Sequence, residues 1–113
     1  MSGMVIAAVL PVVLEGEIRL LPLRDVLYCY ADADRTLVVT PQGTLPTRGS
    51  LQSLAARLEP GFFRSHRAYL VNLDHVRAVI PWTRNAYSLA LDGRKEVPLS
   101  KHRVKALREL VGW

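Results

Sequence analysis

Turn-forming residues punctuate this chain about every ten positions, and the runs between them, rich in Val, Ile, Leu and Tyr, are too short for ordinary helices. That spacing commits most of the polymer to short β-strands. The runs are Val5 to Leu14, Glu17 to Leu20, Asp25 to Tyr30, Thr36 to Thr40, Thr44 to Thr47, Tyr69 to Val71, Val76 to Trp82, Tyr87 to Leu91 and Val97 to Leu99. Pro11 cannot donate to a ladder, so it confines the first run to an edge or a bulge. Asp25 to Tyr30 is apolar on both faces, and Asp92-Gly93 reads as a tight hairpin turn.

The period changes twice. After Ser50 the residues Leu51, Leu54, Ala55 and Leu58 recur at helical spacing, with Ser50 as the cap and Pro60-Gly61 as the stop. After Ser100, also read as a cap, Val104, Leu107 and Val111 fall on one helical face. The expected fold class is therefore mainly β: several short antiparallel sheets with two short helices near 50–59 and 100–111.

A chain of 113 residues, half of them hydrophobic and 22% charged, has the size and balance of one packed domain. Residues 1–13 read as an N-terminal extension or edge strand and 14–113 as the domain proper. The single Cys29 allows neither an intramolecular disulfide nor a multi-thiolate metal site, which suits a reducing compartment and gives a cytoplasmic expectation. The longest apolar run, Met4 to Leu14, has eleven residues, about half of what a bilayer span requires, and no basic segment precedes it; a soluble protein is expected.

Charge narrows the function. Fifteen Lys and Arg face ten Asp and Glu, a net +5 that favours a polyanionic partner. Arg94 to Arg108 alone holds six cations against Glu96, a surplus equal to that of the whole chain. A second basic cluster, Arg64-Ser65-His66-Arg67, follows Phe62-Phe63 and reads as a loop pinned at both ends. An arginine held on such a support can grip guanine bidentately; for Arg64 the alternative is an ion pair with a carboxylate such as Asp74. A third segment, Ala31 to Arg35, is a polar connection whose arginine faces solvent. Catalysis finds no support: His66, His75 and His102 have no metal-motif spacing, Asp32 and Asp34 read as a solvated loop, and no phosphate loop or nucleophile elbow is present. No catalytic residue, metal or cofactor is expected.

The run Gly61-Phe62-Phe63-Arg64-Ser65-His66-Arg67-Ala68-Tyr69-Leu70-Val71-Asn72-Leu73-Asp74-His75-Val76 resembles the signature of the LytTR family of bacterial DNA-binding domains, which reads F-x-R-x-H-R-S-Y-x-V-N. Leu23 to Tyr28, the Ser50-Leu51 helix start and Val97 to Arg103 resemble the family in the same order, so the likeness spans about residues 14 to 110. It implies an output domain of a two-component response regulator, in which loops, not a recognition helix, enter successive grooves of double-stranded DNA at direct-repeat promoter sites. Carried over by position, the base-reading residues are Arg35, Arg67 and His102; Arg48, Arg64, His66, Ser100, Lys101, Arg103 and Lys105 are the groups available for contacts to the DNA backbone. His102 stands where the family has a second basic residue, which leaves His102 and Arg103 as alternatives for reading, and Ala68 replaces the common serine.

Two other classes make distinct demands. A single-stranded RNA-binding β module needs exposed aromatic surfaces, yet Phe62, Phe63, Tyr69, Tyr28 and Tyr30, five of the eight aromatics, lie in runs that read as core. A protein-interaction module, or a homodimer, would pair the Val5 to Leu14 strand with a partner's edge.

Overall fold

The computed structural model describes residues 8–113. The chain builds β1 (Val9–Leu14), β2 (Glu17–Pro22), β3 (Tyr28–Asp32), β4 (Arg35–Thr40), β5 (Gly43–Thr47), α1 (Leu51–Leu58), β6 (Phe62–His66), β7 (Tyr69–Asn72), β8 (Val76–Thr83), β9 (Ala86–Leu91), β10 (Lys95–Leu99) and α2 (Val104–Val111). All neighbouring strands pair antiparallel. They form a ribbon β1-β2, a central sheet β5-β4-β3-β7-β6 and a third sheet β10-β9-β8.

The central sheet is covered on both faces, which is why its strands lack a clean polar side. Cys29, Val38, Leu70 and Phe62 pack against α1 and against Leu10 and Val12 of β1. On the opposite face Phe63 and Val71 meet Leu89, Leu91, Val97 and Leu99 of the third sheet and Val104 and Leu107 of α2. Because Leu10 and Val12 are fully buried, β1 is part of the core. Burial pushes the Cys29 thiol up to about 12, so it stays protonated and unreactive.

Several expectations need correction. The Arg64 to Arg67 segment is not a loop: β6 runs through His66 with a bulge between Phe63 and His66, and only Arg67 and Ala68 turn. The run at Asp25 starts as a 3-10 turn, Leu23–Asp25, and becomes strand at Tyr28. Ser50 does cap α1, in a reciprocal box with Ser53, but Ser100 makes no side-chain cap. The Ser100 carbonyl instead accepts from the Arg103 N–H, a three-residue closure that produces a 3-10 turn, Lys101–Arg103, and delays α2 to Val104. The described part of the first run, β1, is an edge strand of the two-stranded ribbon, laddered to β2 and tied to β5 by the Thr47 hydroxyl, which donates to the Pro11 carbonyl at 2.6 Å; residues 5–7 of that run lie outside the described residues.

Two sets of contacts align the ends of the central and third sheets. At one end the Ser100 N–H, just past β10, donates to the Ser65 carbonyl of β6 at 2.8 Å. At the other, His75, just ahead of β8, meets Asp92, just past β9, with one ring nitrogen and the Arg24 carbonyl, ahead of β3, with the other. The β3-β4 turn, the β6-β7 turn and the β10-α2 junction therefore share one end of the molecule.

Candidate nucleic-acid interface

The β3-β4 turn holds Ala33 and Asp34, with Ala33 at φ 56°, and Arg35 opens β4 fully exposed. Asp32 faces Arg35 across the hairpin, so this turn is mixed in charge and not a simple cation. It is tied to its neighbour by the Ala31 N–H, which donates to the Ala68 carbonyl at 3.0 Å.

The β6-β7 turn is braced from within. The His66 Nδ1 accepts the Ala68 N–H at 3.0 Å, which places the ring proton of the neutral imidazole on Nε2 and leaves that atom as a donor. The His66 ring also meets the Tyr69 ring edge-on, with centroids 5.7 Å apart. The Arg64 guanidinium folds over the turn and donates to the Arg67 carbonyl, so the ion pair with Asp74 does not form. Arg67 itself is exposed, on a turn whose backbone cannot easily shift.

Arg103 closes the gap to the third turn. Its Nε donates to the Arg64 carbonyl at 2.9 Å, and its guanidinium lies 5.0 Å from the centre of the Phe63 ring. It therefore splints two segments, whereas its neighbours Lys101 and His102 are exposed. Lys105 is exposed on the first turn of α2, and Arg48 is exposed after β5, whose C-terminal end lies at this same end of the sheet. Among the described residues the ion pairs are Arg19 with Glu17 and Asp92 with His75 and Arg77; none engages a cation of these three turns.

The tyrosines depart from the core reading. Tyr28, Tyr30 and Tyr69 are half-buried and lie about 6 Å apart, centroids at 5.9–6.0 Å, with Tyr30 and Tyr69 nearly parallel. Burial, then the proximity of Tyr69 and Tyr30, raises the Tyr28 pKa above 10.0. Their close association explains the miss: strand alternation marks a side chain as inward-facing but does not say that the facing sheet stops short of it.

No three His, Cys, Asp or Glu side chains among the described residues are grouped to hold a metal. No helix there is long and apolar enough to cross a membrane.

Exposed cations carried by turns along one end of a β scaffold form the kind of surface that a nucleic-acid-binding module presents. A sequence model of the LytTr DNA-binding domain matches residues 16–112. The Escherichia coli K12 transcriptional regulatory protein YpdB is 34% identical over 99 residues, covering 86% of this chain and 41% of that protein. The Bacillus anthracis sensory transduction protein LytT is 28% identical over 99 residues, 87% of this chain and 40% of that one. The chain thus spans about two fifths of the length of these curated relatives. The solved LytTr DNA-binding domain of a putative methyl-accepting/DNA response regulator from Bacillus cereus superposes with a TM-score of 0.86 at 28% identity, over 94% of this chain and 98% of that one. The chain belongs to the LytTR family of DNA-binding domains.

Proposed function

We propose that this domain binds duplex DNA sequence-specifically, as the output module of a cytoplasmic bacterial response regulator, by seating its three turns in successive grooves. Arg35, Arg67 and His102 read base edges; Arg48, Lys101, Lys105 and the Ser100 hydroxyl contact phosphates. Arg64, His66 and Arg103 have a double task, because each spends one donor or acceptor on bracing and keeps others for the backbone of the DNA. The observation that carries this reading is the tie between turns: Ala31 to Ala68 and Ser65 to Ser100 are main-chain hydrogen bonds, so the spacing of the reading heads is set by backbone and not by flexible side chains.

The relatives' names, a transcriptional regulatory protein and a sensory transduction protein, agree with an output role in a two-component system. Paired direct repeats follow if two copies bind on one face of the duplex. Ile18 and Leu20 on the outer strand β2 are 49% and 62% exposed and supply an apolar edge for self-association. Sedimentation of Leu20→Lys beside wild type tests that contact; an unchanged monomer in both retires the homodimer.

Selecting bound fragments from a random duplex library defines the site, and competition binding at two salt concentrations then tests the reading. Duplex preferred over single strands is the expected result; preference for single-stranded RNA, using Tyr30 and Tyr69, would replace it.

A further inference from the structure

The β8-β9 hairpin also ends at the three-turn end of the molecule, next to the Ser100 junction. Its ladder with β10 stops at the pair Leu99–Tyr87, level with the Ser100 junction. β8 and β9 continue past that point to the pair Thr83–Ala86, leaving Arg84 and Asn85 at the tip. At about 3.3 Å per residue the tip stands roughly 7–10 Å beyond the end of β10.

This projection is stiff. A bulge between Pro81 and Thr83 twists the strand there. The Thr83 hydroxyl accepts the Asn85 N–H at 3.1 Å, and the Tyr87 hydroxyl donates to the Arg84 carbonyl at 3.4 Å. Trp82, 63% exposed, is held by its ring N–H to the Ser88 hydroxyl at 2.8 Å, and that hydroxyl donates to Glu96 at 2.7 Å. Glu96 is thereby engaged away from the tip. The Arg84 guanidinium is exposed and has no hydrogen bond or ion pair among the described residues, and residues 81–90 contain no carboxylate.

We infer that the β8-β9 tip is a fourth DNA contact, in which Arg84 grips a backbone phosphate flanking the footprint of the three turns, on the side beyond Ser100. This rests on the duplex-binding reading and extends it outward. A point contact to phosphate adds affinity for every sequence and carries no base preference. The hairpin's place next to β10 makes the contact one-sided, so the footprint is longer on the flank next to the Ser100 turn than on the flank next to Arg35.

The test compares Arg84→Ala with Lys95→Ala, a matched charge loss on an exposed residue at the opposite end of the same sheet. The probe is a random-sequence duplex of about three helical turns, titrated at several salt concentrations, together with the selected duplex in full and trimmed at each flank. Arg84→Ala is expected to bind both full duplexes about three- to tenfold more weakly, with a salt slope lower by about one, while Lys95→Ala matches wild type. Trimming the Ser100-side flank should weaken wild type to the level of Arg84→Ala and leave Arg84→Ala unaffected. If the two variants bind alike while wild type binds duplex normally, the fourth contact is overturned and the three-turn reading stands. A wild type that binds no duplex overturns both.

Discussion

The two ends of the sheets use the same kinds of side chain to opposite purpose. At the end away from the reading turns, His75 and Arg77 are engaged internally. His75 Nδ1 lies 2.6 Å from Asp92 Oδ2 and its Nε2 lies 2.6 Å from the Arg24 carbonyl. Both partners are acceptors, so the protonated ring, with a donor on each nitrogen, satisfies both. Arg77 adds a two-pronged contact to the same carboxylate, at 2.6 and 2.9 Å. Nearby, buried Asn72 bonds the Leu23 and Val26 carbonyls through its Nδ2 and takes the Asp74 N–H on its Oδ1. At the reading end Arg35, Arg67 and Lys101 are exposed with no acidic partner bound to them among the described residues, and His102 is exposed beside Lys101. A cation satisfied within the chain stabilises the fold; one left unsatisfied on a stiff backbone is available to another molecule.

That contrast breaks if substitutions at one end produce the other end's effect. The largest expected change is in stability: Asn72→Ala strands the buried Val26 carbonyl and removes the bonds to the Leu23 carbonyl and the Asp74 N–H, costing about 2–4 kcal/mol in urea unfolding, while the folded fraction keeps wild-type DNA affinity. A parallel loss of affinity beyond the unfolded fraction would show that the ends are coupled. Next comes Arg67→Ala, expected to cost ~1–3 kcal/mol on the selected duplex and much less on random DNA, with the melting temperature unchanged. Equal losses on both duplexes would remove Arg67 from base reading.

The His75 cluster gives a smaller effect, read through pH. The hydrogen bond to Asp92 is the main cause raising the His75 pKa above 6.5, with burial opposing it and the Arg24 carbonyl assisting. The stabilisation is therefore complete below about 6.5 and fades as pH climbs through the raised value. Asp92 is held below 3.8, first by His75 and then by Arg77, so its share persists above that and is lost as acid brings it through its lowered value. Thermal melts across pH should show a plateau between these limits, and Asp92→Asn should flatten the alkaline shoulder without altering DNA binding. Smallest is Lys105→Ala, expected to weaken all duplexes a few-fold and reduce the salt slope by about one.

The position of the turns at the reading end was legible because turn residues mark hairpin tips and because Arg64 to Arg67 sit in one short signature. Alternating runs located most strands, and the change of period located both helices. What escaped depended on partners distant in the chain. The segment from Arg64 to Arg67 reads as a loop because it is basic and polar, yet β6 runs through it to His66 and β7 pairs with that strand across a bulge. Ser100 looks like a helix cap, but its N–H answers to Ser65 and its carbonyl closes a tighter turn. Nothing local marks Arg103 as a splint, since its hydrogen-bond partner lies 39 positions away. Arg84 also goes unremarked in the sequence, because only the ladder registers show how far its hairpin outreaches β10.

The main-chain bonds that link Ala31 to Ala68 and Ser65 to Ser100 have an evolutionary corollary. Because amide and carbonyl groups are the same in every residue, exchanging the side chains proposed to read bases, at 35, 67 or 102, leaves the pitch between the turns untouched. Such a scaffold can acquire new operators by single substitutions, without first having to relearn the geometry of the double helix.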